Sequence, residues 1–85
     1  AIYAKNTTGR FAPMRQELSD VAAKDPSILQ VHGFYVDEPE KVCYFDLVTD
    51  FKTDGAAIEK RVVDAMGKRY PGYSFNVQLE RDYER

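Results

Sequence analysis

Two runs rich in β-branched and aromatic residues, 28–36 and 42–51, are separated by little more than Asp37-Glu38-Pro39-Glu40. Such runs form strands, and a connection this short and polar leaves them one arrangement, an antiparallel hairpin. The flanking segments must then cover one side of it. Upstream, Phe11, Met14, Leu18, Val21 and Ala22 recur at helical spacing, with Pro13 tolerated in the first turn, Thr7, Thr8 and Gly9 offering N-cap chemistry and Asp25-Pro26 as the stop. Downstream, Asp54 caps a second helix with the stripe Ile58, Val62, Ala65, Met66 and Tyr70, ended by Pro71-Gly72. From Tyr73 to Glu80 apolar and polar residues alternate strictly, as in a half-buried strand. Ile2 to Asn6 is a short apolar start that reads as a further strand. The order (β)αββαβ predicts an α+β, ferredoxin-like domain, two helices on one face of a small antiparallel sheet.

Strand parity decides which side chains meet in the hairpin. If Val36 pairs with Val42, Phe34 faces Tyr44 and His32 faces Asp46 on one side. The other side then carries Leu29, Val31 and Tyr35 against Cys43, Phe45, Leu47 and Phe51, a core for the helices to cover. A slip of one residue would put His32 opposite Phe45 inside that core, so the first register is preferred. It leaves Phe34, Val36, Val42, Tyr44 and Val48 as a contiguous apolar patch on the uncovered face. Such a patch calls for a partner, and a second copy needs only one patch.

Composition bounds the function. Eighty-five residues make a single domain, 1–85, and an apolar fraction of 44% supports a real core. The single cysteine excludes an internal disulfide and a CxxC motif; Cys43, alternating between Val42 and Tyr44, reads as a buried thiol. A net charge of -2 argues against nucleic acid as the main partner. No apolar run is long enough to span a membrane, and the chain opens on Ala-Ile-Tyr without a methionine, as trimmed proteins and domains excised from longer chains both do.

His32, the only histidine, lies mid-strand, and Glu80 and Asp82 close the last strand. One imidazole with Asp46, Glu80 and Asp82, drawn from three strands, has the makings of a divalent-metal site. The same residues are also consistent with ordinary polar side chains on an open sheet, His32 hydrogen-bonded to Asp46 and the other two solvated.

The segments Val31-His32-Gly33-Phe34-Tyr35-Val36-Asp37, Phe45-Asp46-Leu47-Val48-Thr49-Asp50-Phe51 and Asn76-Val77-Gln78-Leu79-Glu80-Arg81-Asp82, in this order and spacing, resemble the cytoplasmic C-terminal domain of cation diffusion facilitator transporters. The resemblance, which also takes in Ile2-Tyr3 and Asn6-Thr7, implies a metallochaperone-like fold. It further implies a homodimer, a transmembrane bundle exchanging a divalent cation for protons, a place on the cytoplasmic face of the membrane, and regulatory metal near the dimer interface. His32 matches a family ligand position. Asp46 stands where a histidine is more usual, Glu80-Arg81-Asp82 replaces His-x-Asp, and a further histidine at the head of the second helix has no equivalent, Ala57 or a neighbour lying there. The implied site is thereby shifted from nitrogen towards oxygen, which suits zinc less and harder ions such as manganese more.

Other classes fit less well. Acylphosphatases of this size need a glycine-rich phosphate loop with an arginine, copper chaperones need CxxC, and Cys43 should face away from His32, so no enzyme activity is expected. A homodimeric ligand-sensing module of the ACT type, without metal, is the alternative; its typical glycine-rich turn is replaced here by Asp-Glu-Pro-Glu.

Overall fold

The computed structural model describes residues 9–82. A 3-10 turn, Gly9–Phe11, leads into α1 (Ala12–Ala23), followed by β1 (Ile28–Asp37), β2 (Val42–Asp50), α2 (Gly55–Arg69) and β3 (Ser74–Asp82). The strand anticipated at Ile2–Asn6 and the caps Thr7 and Thr8 lie outside the described residues. Pro13 sits in the first turn of α1, and Asp54 caps α2 by accepting the Ala57 N–H at 3.2 Å.

Both helices cover the same face of the sheet. Met14 and Leu18 of α1 and Val62 and Met66 of α2 close over Val36, Cys43, Phe45 and Leu47 in one core. β2 is the central strand, and its inward residues Cys43, Phe45, Leu47 and Thr49 are all buried. Burial raises the Cys43 thiol pKa to about 12. On the surface, Arg61 reaches back to Asp25 at 2.7 Å, and Arg69 pairs with Glu17 across the helices.

The two-helix, α+β architecture is as expected, but the sheet is not antiparallel throughout. β1 and β2 form the hairpin, whereas β2 and β3 run parallel in an unbroken register from Val42↔Ser74 to Asp50↔Asp82. The cause is α2. Fifteen helical residues span about 22 Å and carry the chain from the end of β2 back towards its start, so β3 sets out beside Val42 in the same direction.

The hairpin holds a second departure. Between His32↔Asp46 and Tyr35↔Tyr44, β1 advances three residues while β2 advances two, a bulge centred where Gly33 has a φ of +72°. The extra residue reverses parity towards the turn, and Val36 pairs with Cys43 rather than Val42. Phe34 and Val36, expected on the uncovered face, therefore turn under the helices: Val36 is buried, and Phe34 packs on the core with the Arg15 guanidinium of α1 5.4 Å from its ring. Tyr35, expected in the core, points outwards and stacks on Tyr44. A second irregularity between Ile28 and Gln30 takes Leu29 away from the core, to a hollow shared with Asp50, Phe51, Lys52 and Asp82. Phe51, also expected inside, lies past the end of β2 and is 40% exposed.

Candidate metal centre

The helix-free face carries His32 from β1, Asp46 from β2 and Glu80 from β3. His32 and Asp46 are direct cross-strand partners, and Glu80 pairs with Val48, the next outward residue along β2. The imidazole leans over the central strand and meets a carboxylate at each end. Nδ1 is 3.3 Å from Asp46 Oδ2, and Nε2 is 3.9 Å from Glu80 Oε1. One donor atom from each of the three residues falls within 4.8 Å of the others. Asp46 is the most enclosed, its side chain 28% exposed against 48% for His32 and 42% for Glu80.

This geometry suits a dication. Nitrogen and carboxylate oxygen bind such ions at about 2.0–2.2 Å, so donors at tetrahedral angles around one ion lie about 3.3–3.6 Å apart. A contraction of up to about 1.5 Å brings the three side chains to that spacing, which half-exposed side chains can supply by rotation. The solvent side is open for water ligands. One nitrogen with two carboxylates is a borderline-to-hard donor set of the kind that divalent cations accept.

Asp82 does not join this group. It pairs in register with Asp50, one outward position beyond Glu80, and lines the hollow beside Leu29 and Phe51. The strand repeat of about 6.6 Å per two residues moves it out of reach. Of the five residues expected to form an interface, Val42, Tyr44 and Val48 belong to the outward side of β2, and Phe34 and Val36 do not.

Two residues near the centre escaped the sequence reading. Gly33 forms the bulge beside His32, and a glycine isolated within a strand pattern is the signal that could have exposed it. Arg81 points inward between the outward Glu80 and Asp82. Its guanidinium donates to the Asp50 carbonyl at 3.1 Å and to the Thr53 carbonyl, pinning the β2–α2 loop to the strand that carries Glu80. Nothing in the spacing distinguishes it from a solvated arginine.

The fold has a solved counterpart. The metal-bound C-terminal domain of the CzcD transporter from Thermotoga maritima superposes with a TM-score of 0.70, covering 91% of this chain and 100% of that one at 15% identity. The chain shares that domain's fold. No protein-family model and no curated protein matches the sequence. Among the described residues no helix is long and apolar enough to cross a membrane.

Proposed function

We propose that this chain is the cytoplasmic metal-regulatory domain of a divalent-cation/proton antiporter of the cation diffusion facilitator family. The observation that carries the reading is the convergence of His32, Asp46 and Glu80 from three strands in a fold like that of the metal-bound CzcD domain. A dication held there would neutralise the two carboxylates and cross-link the three strands through their side chains. His32 bridges the gap, Asp46 supplies the most enclosed oxygen, and Glu80 extends the site to β3. Because β3 is tied through Arg81 to the loop that opens α2, a change at Glu80 reaches the helical layer. A second copy is proposed to pack against Val42, Tyr44 and Val48. Binding that favours the paired state over the separate one then transmits the metal level to a membrane portion.

Isothermal titration with Zn²⁺ and Mn²⁺ tests the metal reading. The wild-type domain is expected to bind at least one of the two, His32→Ala and Glu80→Ala to weaken it tenfold or more, and Asp82→Ala to leave it within about threefold. Negligible heat from the wild type with both ions would remove the proposal.

A further inference from the structure

We infer that Gly33 is a positioning residue for the metal centre: its missing side chain makes the space in which the Asp46 carboxylate meets His32. The inference rests on the metal reading above and adds to it a residue that supplies no donor atom. A Cβ at position 33 would stand 2.8 Å from Asp46 Oδ2 and 3.3 Å from Asp46 Cγ. That oxygen is the one lying 3.3 Å from His32 Nδ1. The space a side chain would claim at position 33 is therefore the space the site uses.

The other glycines differ from Gly33 in what surrounds them. At Gly9, Gly67 and Gly72 an added Cβ meets nothing within 4 Å. At Gly55 it meets Leu79 and Arg81, a matter of helix-to-strand packing. Only at Gly33 is the obstructed group a donor of the cluster.

Two demands coincide at this position and can be separated. One is the backbone, whose φ of +72° glycine adopts without cost and asparagine tolerates better than most residues. The other is empty space, which any side chain abolishes. The obstructed atom is the end of a side chain rather than backbone, so the cheapest accommodation is rotation of Asp46 away from His32. A substitution at 33 therefore dismantles the cluster before it dismantles the fold.

The experiment compares the wild-type chain with Gly33→Ala and Gly33→Asn, reading the Asp46 χ1 rotamer by NMR three-bond couplings without metal, then the affinities for Mn²⁺ and Zn²⁺. Both variants are expected to move Asp46 to a different rotamer and to weaken the ion that the wild type binds at least tenfold. Gly33→Asn should keep the higher midpoint of thermal unfolding, because it satisfies the backbone demand. An unchanged Asp46 rotamer in Gly33→Asn, or affinity within about threefold of wild type in either variant, would overturn the inference. If the wild type binds neither ion, the metal reading fails while the metal-free rotamer measurement still decides the role of Gly33. Should Gly33→Ala not fold, Gly33→Asn supplies both readouts alone.

Discussion

At the scale of single residues, the ion pair between Asp25 and Arg61 adds a small, pH-dependent contribution to a fold held by its apolar core. Asp25 receives the Arg61 guanidinium at 2.7 Å and the Ser27 N–H at 3.0 Å, and together these hold its carboxyl below the ordinary 3.8. A group depressed in the folded state stabilises fully above its unfolded pKa and loses that contribution as pH falls through the folded value. Asp25→Asn should thus lower unfolding free energy at pH 7, by no more than about 1 kcal/mol since Arg61 is largely in water. The gap between variant and wild type should close as pH drops below about 4. Urea titrations at pH 7 and pH 2.5 check this, and a gap of equal size at both would contradict it. The pairing of His32 with Asp46 was legible in strand parity, because an imidazole and a carboxylate avoid the apolar layer. The path to it was incomplete: the turn is one residue tighter than expected, and Gly33 absorbs the difference. Parity counts cannot foresee a residue that pairs with nothing.

Among the elements, α2 shows how local pattern and tertiary fit can diverge. Its stripe, its Asp54 cap and its end near Tyr70 follow from sequence alone. What sequence does not show is how tightly its first residue approaches β3. A Cβ on Gly55 would lie 2.6 Å from Leu79 Cδ2 and 2.9 Å from Arg81 Nη1. Gly55→Ala should therefore cost about 1–3 kcal/mol as the helix lifts or Leu79 leaves its rotamer. Gly67, in the last turn of α2 with nothing within 4 Å of an added Cβ, should behave oppositely. Gly67→Ala is expected to stabilise by up to about 1 kcal/mol through helix propensity. Chemical denaturation of the two variants side by side checks both signs. The unfavourable one should also disturb the loop that Arg81 holds, visible as faster amide exchange at Thr53.

For the molecule as a whole, the order of elements was readable and the sheet's sense was not. Periodicity locates helices and strands, but whether β3 runs with or against β2 depends on where α2 delivers the chain, a global property. Asp82 is a different case: two residues beyond Glu80 on the same strand, it stands a repeat of about 6.6 Å away, a separation that strand geometry alone implies. The proposed pairing of two copies belongs to this scale too. Sedimentation of the domain with and without Mn²⁺ or Zn²⁺ should show a dimer favoured by the ion, and Tyr44→Asp should shift the equilibrium to monomer. A monomer under every condition would count against the interface. Finally, the lone thiol beneath the helical roof, protonated at any ordinary pH, has a practical consequence. It should stay silent towards maleimides until the layers part, so its labelling rate becomes a built-in clock for global opening. A cysteine engineered onto the bare sheet surface could meanwhile carry a fluorophore without competition.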